Sequence, residues 1–177
     1  MNTVKLTAAC LGLVVMVSPA RAFDPIISMP GEHRVVRPDG ASNEVLATHA
    51  QTGGQLGVMT LSGAPGPGSA IVHTKEAEIW YVLEGEYEFY VGDQTFEGGP
   101  GTFVAVDAGQ PHGFTNKNDG KLLVIFTPGG YEGFFVDWEE QGLARGPALG
   151  ELERSYGVTR PATVTNPKPQ LRTRLQP

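Results

Sequence analysis

Short apolar runs separated by Gly- and Pro-rich turns make up most of this chain. Strand-like runs fall at residues 55–61, 70–73, 78–83, 86–91, 94–96, 102–106, 111–116 and 121–127. Glu84-Gly85 is a tight hairpin signal between two of them. Gly92-Asp93, Asp107-Ala108-Gly109 and Asn118-Asp119-Gly120 mark further turns. Many short strands with regular turns predict an all-β sandwich or barrel. The run from Ser62 to Gly68 is rich in Gly and Pro but lacks the Gly-Lys-Ser/Thr ending of a phosphate loop, so it reads as a connection.

The flanks differ from this centre. Residues 23–56 are polar with the apolar pairs Val35-Val36 and Val45-Leu46, which predicts an N-terminal arm and one or two edge strands. After Thr127 the period changes: Phe134, Phe135 and Trp138 fall at helical spacing. This predicts a helix over 131–141 and a second, shorter one over 149–156, both covering the barrel's flank. From Thr159 the chain is Pro-rich, carries Arg160, Lys168, Arg172 and Arg174 without any acid, and is predicted to be extended or disordered. The sequence has no internal repeat and predicts one barrel domain, with its core over 57–130.

The start of the chain has a different purpose. Lys5 precedes an apolar run over 6–17, then Ser18-Pro19 and Ala20-Arg21-Ala22. That order predicts a signal peptide over 1–22, cut after Ala22, and an exported, periplasmic or secreted protein. The run is shorter than the roughly 20 residues a membrane span needs. Cys10, the single cysteine, leaves with the signal, so the mature chain has no disulfide. Cleavage also removes Lys5 and Arg21, leaving 11 basic against 19 acidic side chains, a formal charge of −8. Nucleic acid and anionic membrane surfaces reward clustered positive charge, so neither is an expected partner.

Candidate chemistry lies in two spaced segments. HTKEAEIWYVLEG reads His73-x4-Glu78-x6-Gly85, and GTFVAVDAGQPHGFTN reads Gly101-x5-Asp107-x-Gly109-x2-His112-x3-Asn116. Together they resemble the two motifs of the cupin superfamily, Gly-x5-His-x-His-x3–4-Glu-x6-Gly and Gly-x5-Pro-x-Gly-x2-His-x3-Asn. Anchoring on Gly85 puts the motif's Glu on Glu78 and its second His on His73. The first His slot falls on Ile71, and Asp107 replaces the Pro. The other register, with Lys75 in the second His slot, breaks the spacing to Glu78. The resemblance implies a jelly-roll barrel, a double-stranded β-helix, with short C-terminal helices. It also implies a metal held by His73, Glu78 and His112.

Strand side chains alternate faces. If His73 points inward, so does Ile71. Glu78 carries Trp80 and Val82 with it, and His112 carries Phe114 and Asn116. The expected substrate pocket is therefore Ile71, Trp80, Val82, Val104, Phe114 and Asn116, with Thr102 and Val106 as further lining. Two neutral imidazoles and one carboxylate suit Fe(II) with open positions, and Mn, Ni, Co or Zn fit the same donors. Glu78 is the expected base on a substrate hydroxyl or acidic C–H, if burial raises its pKa. His33 and His49 lie in the polar N-terminal part and supply a missing ligand only if that arm folds over the barrel mouth.

The YVLEGE hairpin and the TPGGYEGFF stretch look most like bacterial single-domain cupins of the quercetin-dioxygenase-like group. That likeness implies a metal-dependent dioxygenase acting on an aromatic or enolisable small molecule, and a homodimer. Two alternatives stand beside it. One is an isomerase, cyclase or lyase using proton transfer by Glu78. The other is a non-catalytic barrel that binds a small ligand such as a sugar or a phenolic.

Overall fold

The computed structural model describes residues 22–68 and 70–161. The signal segment lies outside them except for Ala22, as do Lys168, Arg172 and Arg174 of the tail. The strands are β1 (Arg34–Val36), β2 (Asn43–Ala47), β3 (Gly57–Gly63), β4 (Gly66–Pro67), β5 (Val72–His73), β6 (Ala77–Glu84), β7 (Tyr87–Val91), β8 (Gln94–Gly98), β9 (Phe103–Val106), β10 (His112–Asn116) and β11 (Gly120–Thr127). Two helices, α1 (Glu132–Glu140) and α2 (Pro147–Ser155), precede a last short strand, β12 (Val158–Thr159). The second helix starts two residues before its predicted place because Pro147 opens its first turn, where a missing N–H costs nothing. Among the described residues, no helix is long and apolar enough to cross a membrane.

The strands form a six-stranded sheet in the order β1-β2-β3-β11-β6-β9 and a four-stranded sheet in the order β4-β10-β7-β8. A third, two-stranded ribbon pairs β12 with β5. Trp80 on β6 stacks on Phe89 on β7 at 5.5 Å, so the two larger sheets face each other. This is an all-β jelly-roll barrel with two short C-terminal helices.

Alternation builds its interior. Glu78, Trp80 and Val82 on β6 are buried, and so are Leu122, Val124 and Phe126 on β11. The register sets Phe126 beside Glu78, Val124 beside Trp80 and Leu122 beside Val82. From the facing sheet, Tyr87 and Phe89 close the core, and both are fully buried. Each such side chain contributes about 1.5–3 kcal/mol on leaving water. The hairpin between β6 and β7 turns at Gly85, whose φ of +85° lies in the left-handed region.

Candidate metal centre

Glu78 reaches the interior because β6 alternates, and its strand neighbours make that interior dry. Phe126 lies across from it on β11 and Val106 on β9. His112 opens β10, opposite Val91. His73 closes β5, which is drawn against β10 by paired hydrogen bonds: Ile71 N–H donates to His112 O at 2.8 Å and His112 N–H donates to Ile71 O at 2.9 Å. The far side of β5 is held by β12, where Val158 faces His73. Three separate strands therefore bring His73, Glu78 and His112 together, with one ligand atom from each lying within 4.8 Å of the others.

Glu78 Oε2 lies 3.0 Å from His73 Nε2 and 3.0 Å from His112 Nε2. The imidazoles stack, with centroids 5.3 Å apart and planes 15° from parallel. The other carboxylate oxygen, Oε1, accepts a hydrogen bond from Trp80 Nε1–H at 2.6 Å. His112 Nδ1 lies 2.7 Å from Gln110 O, and a carbonyl only accepts, so Nδ1 carries the proton. In the neutral ring Nε2 is then an acceptor facing a carboxylate oxygen, which is another acceptor. A cation or an extra proton must lie between them. His73 raises the same demand, because neither of its ring nitrogens makes a hydrogen bond although the residue is fully buried. Its Nδ1 is 3.8 Å from Glu76 Oε2, and its Nε2 is close to Glu78 but badly aligned. Buried polar atoms without partners are costly. Adjacent ligands on a metal with bonds of about 2.1 Å sit about 3.0 Å apart, so this donor set fits a divalent transition metal.

Charge in the centre follows from the same contacts. Burial pushes the Glu78 carboxyl up, but the imidazoles of His112 and His73 outweigh it and hold the group well below the usual carboxylate range. Burial opposes protonation of His73, yet Glu76 and Glu78 together push its pKa up. The expectation that burial raises Glu78 is thus corrected: burial acts in that direction and is overcome.

A cavity of about 230 Å³ adjoins the centre. Glu78 and His112 reach its wall, whereas His73 lies behind it. Ile71, Trp80 and Phe114 line the cavity as expected from alternation. Val82 and Val104 do not; they are buried in the core with Val106, because a shared strand face runs past the cavity into the barrel interior. Asn116 does not line it either: its Nδ2–H donates to Gly63 O at 3.2 Å beside a neighbouring groove. Much of the remaining wall comes from the C-terminal region, where Tyr131, Phe134, Phe135, Trp138 and Leu149 line the cavity. Tyr131 stands edge-on to the His73 ring at 4.3 Å. The sequence reading treats this stretch as cover for the barrel, although the PGGYEGFF signal already marks it.

Neither N-terminal histidine joins the centre. His49 Nδ1 lies 2.8 Å from Gly129 O, and His33 Nδ1 is 3.8 Å from Glu44 Oε1. The arm packs on the barrel's outer side there and does not cross its mouth.

Trp80→Phe tests how firmly the carboxylate is held. The change keeps an aromatic ring in the core but makes it smaller, and a buried Glu78 oxygen loses its donor. We expect a loss of about 1–3 kcal/mol in urea unfolding. Unchanged stability shows that the indole N–H does not anchor Glu78.

Residues 57–128 match the family model for the cupin domain. No curated protein matches the sequence. Among solved structures, an RmlC-like cupin from Shewanella frigidimarina is 17% identical, with 63% of this chain and 98% of that one covered at a TM-score of 0.54. KdgF from Halomonas sp. is 17% identical, with 63% and 96% covered at a TM-score of 0.51. The Streptomyces nucleoside dehydratase Pac13 is 14% identical, with 62% and 88% covered at a TM-score of 0.51. At such identities the likeness is one of fold. Residues 57–128 are thus similar to the cupin domain, and the neighbouring structures share its barrel fold.

Proposed function

We propose that this protein is a metal-dependent enzyme, a dioxygenase acting on a small aromatic or enolisable substrate, with His73, Glu78 and His112 as the metal ligands. The observation that carries this reading is the pair of facing acceptors, His112 Nε2 and Glu78 Oε2 at 3.0 Å, with the unbonded His73 Nε2 equally close. A bound divalent metal, Fe(II) first, with Mn, Ni, Co or Zn on the same donors, supplies open positions for substrate oxygen and O2.

The chain's own residues prepare that chemistry. Gln110 O fixes the His112 tautomer and Trp80 fixes one Glu78 oxygen. Phe126 and Tyr131 exclude water around His73. Ile71, in the slot where the family motif has a histidine, offers only methyl groups and leaves that position without a side-chain ligand. The imidazoles beside Glu78 hold it anionic, which suits a ligand role. A cavity of about 150 Å³ holds benzene, so the 230 Å³ here suits one substituted ring or a short acyclic acid. We also read the protein as exported, working without residues 1–22 and as a homodimer.

Elemental analysis of residues 23–177 beside a His73→Ala/Glu78→Ala control tests the centre, and oxygen uptake with single-ring phenols tests the reaction. About one metal per chain, lost in the control, with oxygen consumed, is the expected result. No metal after incubation with Fe(II), Mn(II), Ni(II) and Zn(II) overturns the centre. Metal without oxygen uptake overturns the dioxygenase and leaves an isomerase, cyclase or lyase.

Ile71→His is expected to raise metal affinity by about tenfold or more, worth ~1.4 kcal/mol, by filling the fourth slot. A metal titration that shows no gain in a folded variant would mean that the side chain at 71 does not face the centre.

A further inference from the structure

Beside the cavity runs a groove of about 550 Å³ whose lining includes Arg145, Arg154 and Arg160. The groove and the cavity share a wall, because Arg145, Leu149, Glu153 and Arg160 line both. Three guanidinium groups converge there on a chain whose formal net charge is −6. One acid, Glu153, shares the lining, and it is buried. Its two carboxylate oxygens accept from Arg160 Nε–H and Nη2–H.

Most of the arginine donors remain free. A guanidinium carries five N–H groups in a planar fork. Arg145 donates through Nε to Asp39, which leaves both of its Nη groups. Arg160 still has its Nη1 group. Arg154 makes no ion pair among the described residues. The guanidinium of Arg145 lies 5.5 Å above the Trp138 ring. Trp138 is itself cavity wall. A planar fork beside an apolar cavity is an arrangement that recognises an oxyanion attached to an apolar body.

We propose that this groove binds the oxyanion headgroup, a carboxylate or phosphate, of a small organic acid whose apolar part enters the cavity toward Glu78 and His112. The proposal rests on the reading of that cavity as the substrate site. It names a charged substrate class that the metal ligands alone do not select.

Calorimetric titration of the mature protein with benzoate, phenyl phosphate and the neutral benzyl alcohol tests it, with metal content measured on the same samples. At least one acid is expected to bind about tenfold more tightly than the alcohol, and which one does so identifies the headgroup. Arg154→Ala, a change at an exposed and unpaired side chain, is expected to weaken that acid about three- to tenfold without changing metal content. Arg145→Gln is expected to weaken it likewise. The preference for the acid is expected to persist in metal-free His112→Ala protein, which excludes direct coordination as its cause. Acids that bind no more tightly than benzyl alcohol, or that are unaffected by both arginine changes, overturn the proposal. If metal is absent while the arginine-dependent preference remains, the metal reading fails and this one stands.

Discussion

His112→Ala protein is expected to purify without metal, where the parent carries about one ion per chain. Ligand count sets this outcome. The centre offers one carboxylate and two imidazoles, with Ile71 adding nothing. Removing one imidazole leaves Glu78 and His73, which is too few to hold a divalent ion through purification. Fold is retained, because His112 lies at the start of β10 and its backbone bonds to Ile71 do not involve the ring. The measurement is elemental analysis, with circular dichroism to confirm folding. A folded variant with unchanged metal content shows that any metal is held elsewhere and removes the centre from the argument.

Gly85→Ala has the largest expected effect on stability. A Cβ at this position would lie 2.6 Å from Gly120 Cα and 2.7 Å from Asp119 O, both backbone atoms. Neither neighbour can rotate away, so the β6–β7 turn and the start of β11 must move apart. The φ of +85° adds about 1 kcal/mol for any residue with a Cβ. Together with overpacking of about 1–3 kcal/mol, the loss comes to about 3 kcal/mol. In a chain of this size that lowers the melting temperature by about 10 °C. Gly92→Ala is the control, since its φ of +59° is similar but nothing lies within 4 Å of the added carbon. It should lose only about 1 kcal/mol. Equal losses at the two positions would show that the contact with the β11 turn is not what makes Gly85 necessary.

Much of this arrangement was legible in the sequence for a physical reason. Period-two alternation and turn residues are local properties, so the strands and the inward set Glu78, Trp80 and Val82 follow from them. Facing inward is a weaker statement than facing a ligand. Val82 and Val104 share a face with candidate site residues, yet they sit deeper in the barrel, and alternation has no depth coordinate. Periodicity in α1 shows which side is apolar without showing what that side covers, so Tyr131 and Trp138 were read as cover. The two-residue strand β12 has no pattern to detect, because only its tertiary pairing defines it. The arginine groove is hidden for the same reason. Arg145 and Arg160 flank α2 and Arg154 lies in its last turn, and their meeting at the groove depends on how that helix packs.

The ribbon of β5 and β12 has a consequence for the order in which the molecule is completed. Thr74 N–H donates to Gly157 O at 3.0 Å, and the hydroxyl of Thr74 reaches the same oxygen across 83 positions of sequence. Pairings so distant carry a high loop-closure cost and form late. During synthesis the segment that carries His73 emerges long before its outer partner. A nascent chain ending at Thr127 already has all three candidate ligands and all the strands of both large sheets, but nothing yet flanks His73 on its outer side. The candidate metal centre is therefore among the last parts of the barrel to close, and its full enclosure becomes a property of the finished chain.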